Sequence, residues 1–380
     1  MAHCTFCNHE TKEILDYGEV ALAGAFLKPE DFASEKKYPL SLHFCPNCYA
    51  VQVPERIDRD TLFRDYFYFS SATKTMVKHF NNYAREVVER FKPETVVEIG
   101  CNDGVLLKPL ADLGVEVIGI DPSNTAATID DPRITIINDF LRSDTGIKAD
   151  MVLANNVFAH IEDIHEATRI IADMLNDDGV FIFEVNALDD LISGLQYDWV
   201  YHEHLYYYSL ISLEKHLAQY GMRVFDLNRI STHAGSIRYY ACKDDREETK
   251  SVQKQRDYEK WMNLDKFQRF EKFAEKVKEH QASMKQIEGK LAGYGACGRT
   301  NTLLQACGLG NEIDYIVDDA PAKQGFYTPG THIPIVSRDM LEESPPDAIV
   351  VFAWSFLEEI KKKTGQHKLI IPLPHIYVQN

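Results

Sequence analysis

The sequence predicts an α/β protein in which a Rossmann-like sheet follows a small metal-binding lobe and precedes a second, smaller sheet. Three observations support this prediction. Two Cys-x-x-Cys motifs open the chain, a strand–helix alternation fills its middle, and the same alternation returns after a charged helical stretch. Such alternation indicates parallel strands with helices on both faces of the sheet. We expect four segments, 1–75, 76–242, 243–289 and 290–380.

Composition and charge exclude several classes of protein. The 380 residues are 45% hydrophobic and carry a formal net charge of −17. An acidic chain is a poor general binder of nucleic acid, which requires a basic surface. The N-terminus lacks the apolar core of a secretory signal, and no apolar run approaches the roughly 20 residues that span a bilayer. We therefore expect a soluble, cytoplasmic monomer without nucleic-acid or membrane partners.

The first segment carries four closely paired cysteines, Cys4, Cys7, Cys45 and Cys48. Each Cys-x-x-Cys motif can direct two thiolates at one ion, and two motifs complete the tetrahedral ligand set of structural zinc. A redox pair is the alternative, but such a motif normally follows a strand of a thioredoxin-like unit, which the sequence does not predict here. Four protein ligands leave no position for water, so the predicted zinc ion is structural.

The second segment begins with an amphipathic helix over 74–92, because its apolar residues recur every three or four positions. Five β-rich runs follow: TVVEIG, VEVIGID, ITIIND, MVLANN and VFIFEV. Helical stretches separate these runs, so they predict the strands of an open parallel sheet. In the third segment, charged residues with spaced aromatics predict one or two long amphipathic helices that join the two sheets.

Polar residues follow four of these strands in the order expected of a nucleoside site. The glycines of EIGCNDG let a ligand approach the backbone, and Asp121 ends the next strand, where a carboxylate suits a ribose diol. Ligands of open α/β sheets bind at the carboxyl ends of the strands, although ordinary strand-to-helix turns are the alternative. The predicted cofactor residues are Glu98, Gly100, Asn102, Gly104, Asp121, Asp139, Phe140 and Asn155.

A second glycine loop, GYGACG at 293–298, opens the last segment. With Asp318 about 25 residues later it fits the dinucleotide fingerprint, and it supports an alternative function as an NAD-dependent oxidoreductase. Arg299 follows the loop directly, at a position suited to pairing with a phosphate. We favour a pyrophosphate cradle for a nucleotide sugar, while NAD binding and a turn without ligand stay open.

Titratable and aromatic residues cluster after the fifth strand, in the run YHEHLYYYS. An imidazole, with an unperturbed pKa of about 6.5, suits removal of a proton beside a carbonyl. A second imidazole or a tyrosine hydroxyl suits stabilisation of the enolate that forms. A metal pair of His202 and His204, or packing of the tyrosines, is the alternative. His160, Tyr66 and Tyr68 are further candidates around the same cleft.

Taken in order, several motifs resemble the sugar C-methyltransferases that make branched deoxysugars. They are the two cysteine motifs, YFYFSS, EIGCNDGVLL, NNVFAHIED, YHEHLYYYS and GYGACGRTNTLL, and they cover essentially the whole chain. The resemblance implies a class I Rossmann-like S-adenosylmethionine (SAM) methyltransferase domain between a small zinc-binding lobe and a C-terminal pseudo-Rossmann domain. It also implies a dTDP-linked, or otherwise nucleotide-linked, 4-keto-6-deoxysugar that is methylated at C3.

The same resemblance implies residue roles. His204 would be the general base, Glu98, Gly100 and Asp121 would serve SAM, and the C-terminal glycine loop would help to hold the nucleotide sugar. Cys101 stands where the family more often has serine, and Arg299 where lysine is expected. The catalytic candidates are His204, Tyr201, Glu203, His160 and Tyr68, and the substrate-binding candidates are Tyr66, Tyr206, Gly295 and Arg299.

Overall fold

The computed structural model describes residues 2–63, 69–143, 145–230 and 235–379. The strands are β1 (Lys12–Ala21), β2 (Lys37–Phe44), β3 (Val51–Gln52), β4 (Thr95–Ile99), β5 (Glu116–Ile120), β6 (Ile134–Ile137), β7 (Ala149–Asn155), β8 (Leu175–Asn186), β9 (Tyr206–Tyr207), β10 (Arg223–Ile230), β11 (Ser236–Cys242), β12 (Leu291–Tyr294), β13 (Ile313–Val317), β14 (Ile335–Val336), β15 (Ala348–Val351), β16 (Leu369–Ile371) and β17 (Tyr377–Gln379).

The α-helices are α1 (Arg59–Phe63), α2 (Lys74–Phe91), α3 (Leu107–Asp112), α4 (Ile164–Met174), α5 (Leu188–Ser193), α6 (Leu210–Leu217), α7 (Lys250–Trp261), α8 (Phe267–Met284), α9 (Gly298–Cys307), α10 (Met340–Glu343) and α11 (Leu357–Thr364). Short 3-10 helices include Pro29–Ser34, Ser70–Ala72, Tyr197–Trp199 and Trp354–Phe356. Among the described residues, none of the helices combines the length and the apolar character needed to cross a bilayer.

The central sheet has seven strands in the order β10-β11-β8-β7-β4-β5-β6. Strands β4 to β8 are parallel, and β11 runs antiparallel to both of its neighbours, β8 and the edge strand β10. The chain order reverses at β4, which has β5 on one side and β7 on the other. Ligands of open α/β sheets bind at such a switch point. This strand order is that of the class I Rossmann-like methyltransferase domain and confirms the predicted fold class.

Helix α2 lies on the central sheet at the predicted position. The Thr73 hydroxyl accepts from Met76 N at 3.2 Å and caps the helix start, and Lys92, with φ 50°, ends it in a left-handed conformation. Its buried stripe, Phe80, Tyr83 and Val87, packs in one hydrophobic cluster with the sheet. Apolar spacing of three and four residues thus placed this helix correctly.

A second sheet, in the order β14-β13-β12-β15-β16-β17, occupies the C-terminal segment. Its strands are parallel except β17, which pairs antiparallel with β16. Helices α7 and α8 connect the two sheets, as the charged run over 243–289 predicted. The second sheet carries the second glycine loop at the end of β12.

A long hairpin of β1 and β2 occupies the N-terminal segment and was not predicted. Its register shifts twice, between Glu13 and Leu15 and between Asp16 and Gly18. Each bulge breaks the two-residue alternation by which a half-buried strand is recognised. Strand β2 of the hairpin pairs with β3, and β3 pairs with β9. The last strand of this sheet therefore comes from residues beyond 200. Its apolar face shares a hydrophobic cluster with α8 and the second sheet.

Candidate active site and metal centre

The first glycine loop leaves β4 and is held by Asp121 at the end of β5. Asn102 N donates to one carboxylate oxygen of Asp121 at 2.9 Å, and Ser123 N donates to the other at 2.8 Å. Gly100 has φ 71°, and a Cβ on it would lie 2.7 Å from Val157. Only glycine fits such a position, because any Cβ would collide with the Val157 side chain.

Three buried acceptor atoms in or beside this loop have no hydrogen-bond partner among the described residues: Glu98 Oε2, Asp103 Oδ1 and Asn155 Oδ1. Asn155 Nδ2 does donate to the other oxygen of Glu98, at 3.4 Å. Burial raises the pKa of Glu98 well above its ordinary value, and the charges of Asp121 and Asp103 raise it further. Each unpaired buried acceptor costs about 1–3 kcal/mol. A ligand rich in donors, such as the ammonium group and ribose hydroxyls of SAM, would satisfy them.

The segment before α2 closes over the same loop. Ser70 N donates to Asn102 Oδ1 at 3.0 Å, and Ser71 N donates to Asp103 Oδ2 at 2.9 Å. These serines end the YFYFSS motif, so the motif adjoins the predicted cofactor residues. The predicted Tyr66 and Tyr68 lie outside the described residues.

The predicted cofactor residues Asp139 and Phe140 lie just beyond β6. Phe140 N donates to Asp139 Oδ1 at 2.8 Å, and Arg142 forms an ion pair with Asp139 at 2.9 Å. The guanidinium of Arg59, in α1, lies 4.1 Å from the centroid of the Phe140 ring. Sequence reasoning missed Arg59, because α1 is short and distant in sequence from the strands that carry the site.

His204 lies in the turn that precedes β9 and is 7% exposed. Its Nδ1 lies 3.1 Å from the carbonyl oxygen of Trp199, and its Nε2 lies 3.0 Å from the hydroxyl of Tyr201. A carbonyl oxygen only accepts hydrogen bonds, so the proton of the neutral ring is on Nδ1 and the lone pair on Nε2. Tyr201 then donates to Nε2. The backbone therefore holds His204 in the tautomer that a general base requires.

Two further candidates lie near this pair: His160 packs beside His204, and Glu203 precedes it in the same turn. The ring centroids of His160 and His204 are 4.8 Å apart, and desolvation lowers the pKa of His160 to about 4. Burial raises the pKa of Glu203 to about 7, and its Oε1 faces Gly24. Gly298, in the second glycine loop, faces Tyr201, since a Cβ there would lie 3.7 Å from its Cζ. The cluster thus lies between the two sheets.

His202 points away from His204, and the two do not form a metal pair. His202 Nε2 donates to the carbonyl oxygen of Pro39 at 3.0 Å, and desolvation lowers the pKa of this histidine. Residues 201–204 form a turn, so the two rings do not share the face that a strand would give them. Within the described ranges, the four N-terminal cysteines are the group whose geometry could hold a metal ion.

Tyr206 packs in the interior, and its assignment to the substrate stays a prediction. Its hydroxyl donates to the carbonyl oxygen of Glu162 at 3.0 Å, and its ring centroid lies 5.2 Å from that of Phe6. The residue is 2% exposed. The alternation of β9 turns Tyr206 toward the first cysteine motif and Tyr207 toward Trp199, whose carbonyl oxygen accepts from the Tyr207 hydroxyl at 3.0 Å.

The second glycine loop is covered by the protein's own residues. Arg299 donates from Nε and Nη2 to Asp198 Oδ2 at 2.9 and 2.7 Å, and its guanidinium lies near the rings of Trp199 and Trp354. A Cβ on Gly295 would lie 2.4 Å from that of Ala353. These contacts leave the Arg299 cation paired and the Gly295 face occupied, so they do not favour a pyrophosphate there, and its assignment to Gly295 and Arg299 stays a prediction. They equally disfavour a dinucleotide at this loop.

The four cysteines of the two motifs converge on one point. Sγ of Cys4 lies 3.4 Å from that of Cys48, Sγ of Cys7 lies 3.5 Å from that of Cys45, and all four atoms lie within 4.8 Å of one another. Zinc bonds of about 2.3 Å in a tetrahedron place sulfur atoms about 3.8 Å apart. Cys48 N also donates to the sulfur of Cys45 at 3.5 Å. The donor set and spacing fit zinc.

Three family profiles match consecutive parts of the chain. Residues 4–63 match a zinc binding domain, residues 76–227 a methyltransferase domain, and residues 231–374 the C-methyltransferase C-terminal domain. The last match includes the second glycine loop, which therefore has its counterpart among C-methyltransferases.

Similarity to a relative extends along nearly the whole chain. C-methyltransferase NovU of Streptomyces niveus is 31% identical in an alignment of 399 residues. The alignment covers 98% of this chain and 95% of that protein. Ubiquinone biosynthesis O-methyltransferase of Azorhizobium caulinodans is 29% identical over 118 residues, 28% of this chain and 46% of that protein. The solved magnesium protoporphyrin IX methyltransferase of Synechocystis PCC 6803 covers 47% of this chain and 91% of its own, with 16% identity and a TM-score of 0.39. A score this low adds nothing to the fold assignment, which rests on strand order.

Proposed function

Since the chain belongs to the C-methyltransferase family, we propose that it transfers a methyl group from SAM to C3 of a nucleotide-linked 4-keto-6-deoxysugar. A dTDP-linked sugar is the proposed substrate, and the four thiolates of the N-terminal motifs are proposed to hold a structural zinc ion. The observation that carries the proposal is the fixed tautomer of His204, which presents a lone pair on Nε2.

Glu98 and Asn155 are proposed to hold SAM through the unpaired acceptor atoms described above. Asp121, whose two oxygens accept from Asn102 N and Ser123 N, is proposed to accept from SAM through its remaining lone pairs. When bound, SAM supplies a methyl group already activated by its sulfonium charge. The residues of the chain therefore have two tasks, to hold the reactants in line and to make the sugar carbon nucleophilic. Alignment alone accounts for a large part of the rate enhancement in two-reactant enzymes.

The proton chemistry follows from the pair of His204 and Tyr201. The C4 ketone acidifies the proton on C3, and Nε2 of His204 takes that proton, leaving an enolate with its charge on the C4 oxygen. For this transfer the Tyr201 hydroxyl turns from Nε2 to the C4 oxygen when the keto sugar binds, which frees the Nε2 lone pair and stabilises the enolate. His160 is kept neutral at pH 7 by its low pKa. It donates a hydrogen bond to the same C4 oxygen without adding a positive charge. C3 would then form its bond to the methyl carbon while the bond between that carbon and the sulfonium sulfur breaks, with S-adenosylhomocysteine as the leaving group.

Replacing His204 by Asn tests this proposal. We expect the variant to lose the exchange of C3 deuterium from labelled keto sugar, and to lose methyl transfer with it, by about a hundredfold or more. His202→Asn is the matched control, because it changes an equally buried histidine that points away from the cluster. SAM binding, measured as the rise in thermal midpoint, should be similar in both variants. Undiminished exchange in His204→Asn would rule out this base.

The substrate class is tested by mass spectrometry of candidate keto-sugar nucleotides incubated with SAM and the purified chain. A gain of one methyl group on a dTDP-4-keto-6-deoxysugar is the expected result. Methylation of a substrate without a keto group next to the reacting carbon would contradict the enolate mechanism, because His204 would then have no acidic proton to remove.

A further inference from the structure

The turn that carries Tyr201 and His204 ends at Leu205, whose backbone is held from two sides. Leu205 N donates to the carbonyl oxygen of Ala159 at 2.9 Å, and Val53 N donates to the carbonyl oxygen of Leu205 at 2.9 Å. Strand β3 then pairs with β9 in antiparallel register. The backbone that adjoins His204 is therefore aligned by a short strand of the N-terminal segment.

Gln52, in β3, connects this strand to the first cysteine motif. Its Oε1 accepts from Thr5 N at 2.9 Å, and its Nε2 donates to the carbonyl oxygen of His3 at 3.0 Å. The two hydrogen bonds bracket Cys4, one of the four clustered cysteines. Gln52 is fully buried, and its backbone pairs with Tyr206 in β9. One side chain thus joins the cysteine cluster to the strand that follows His204.

Arg56 makes a parallel connection from the end of β3. Its Nη1 donates to the carbonyl oxygen of Val53, and its Nη2 donates to the hydroxyl of Thr5 at 2.9 Å. Its guanidinium also lies 5.9 Å from the centroid of the Tyr206 ring. Two polar side chains, Gln52 and Arg56, therefore fix the first cysteine motif relative to the strand pair.

We propose that Gln52 is a positioning residue that couples the four-cysteine cluster to the placement of His204. This inference rests on the proposed function, because it assigns the metal-binding segment a part in aligning the base. His204 keeps its tautomer only while Nδ1 reaches the Trp199 carbonyl, and β3 fixes the far end of the same turn. Displacing a reacting group by about 1 Å can cost a hundredfold in rate.

Replacing Gln52 by Met tests the coupling, since Met preserves the volume and removes both hydrogen bonds. We expect kcat for methyl transfer to fall by about tenfold to a hundredfold. The KM for SAM should stay unchanged, because the first glycine loop leaves β4 in the central sheet, whereas β3 belongs to the N-terminal sheet. Amide hydrogen exchange over 201–207 should become faster. Zinc content should be unchanged, because the four thiolates remain.

Thr11→Val is the matched control within the same segment. Thr11 is buried, and its hydroxyl donates to the carbonyl oxygen of Ala2 at 2.9 Å and lies 3.0 Å from His43 Nδ1. The backbone of His43 pairs with that of Gln52, but neither bond of Thr11 involves the Gln52 side chain or β9. We expect wild-type kcat and wild-type exchange over 201–207. If Gln52→Met does not fold, Arg56→Met interrupts the parallel connection and should show the same split between kcat and KM.

The outcomes separate the two proposals. An active wild type with unchanged kcat and unchanged exchange in Gln52→Met overturns the coupling. A wild type that methylates no keto sugar contradicts the proposed function, and hydrogen exchange then decides the coupling alone. Equal losses of kcat in Gln52→Met and Thr11→Val would overturn the proposal as well, because they would show a general effect of loosening the segment.

Discussion

Replacing Arg299 by Met should destabilise the chain strongly, because a buried carboxylate would lose its cation. The side chains of Arg299 and Asp198 are 8% and 1% exposed, and two hydrogen bonds join them. Trp354 Nε1 also donates to the same carboxylate oxygen, at 3.3 Å. Removing one partner of a buried ion pair costs about 3–5 kcal/mol. We expect the free energy of unfolding to fall by that amount.

The loss of stability in Arg299→Met should increase with pH. Burial raises the pKa of Asp198, and the Arg299 charge opposes that rise, so the pKa increases further in Arg299→Met. A carboxyl group whose pKa is raised on folding destabilises the fold increasingly as pH rises above its unfolded value of about 3.9. The variant should therefore lose more stability at pH 8 than at pH 5, where the buried carboxyl takes up a proton.

Urea unfolding followed by tryptophan fluorescence measures this effect, since Trp199 and Trp354 flank the guanidinium. The double variant Arg299→Met/Asp198→Leu is the control, because it removes both charges and keeps apolar volume. We expect it to recover most of the stability. A loss below about 1 kcal/mol in the single variant, as for exposed pairs, would refute the reasoning. So would a double variant as unstable as the single one.

Two further predictions concern the candidate site. His160→Gln should reduce the acid sensitivity of the fold. Because burial lowers the pKa of His160 to about 4, protonation of this histidine favours the unfolded chain. The wild type therefore loses up to roughly 3 kcal/mol of stability between pH 6.5 and 4. Thermal midpoints at pH 7 and pH 4.5 measure this, and an unchanged difference would contradict it. Gly100→Ala should reduce the SAM-induced rise in thermal midpoint, because its Cβ would meet Val157 at φ 71°. Gly114→Ala, with φ 85° and open space around it, should bind SAM normally.

The strands and the strand-end residues of the central sheet could be predicted because both leave local signals. β-rich runs end in glycine or in polar residues. The structure brings Glu98, Asp121 and Asn155 together at the carboxyl ends of neighbouring strands of the sheet. The cysteine cluster was predictable for the same reason, since its spacing encodes a tetrahedral ligand set. Local patterns suffice where each contributing segment carries its own recognisable signal.

The features that sequence reasoning missed depend on contacts between distant segments. Arg299 follows a glycine loop, and its position suggests a phosphate contact until Asp198 is seen to pair with it. Tyr206 belongs to a tyrosine-rich run next to His204, and only the pairing of β9 with β3 shows that it packs inward. Gln52 carried no signal, because a single buried glutamine has no characteristic pattern.

The pairing of β3 with β9 also has a consequence for synthesis of the chain. Residues 51–52 are made long before their partners at 206–207, and at ribosomal rates of about 5–20 residues per second the interval is roughly 8–30 s. During that time the apolar face of the β1–β2 hairpin lacks both α8 and the second sheet, against which it packs. The nascent N-terminal segment therefore exposes an apolar surface until those elements are made. A ribosome-associated chaperone is expected to bind the nascent chain at this surface.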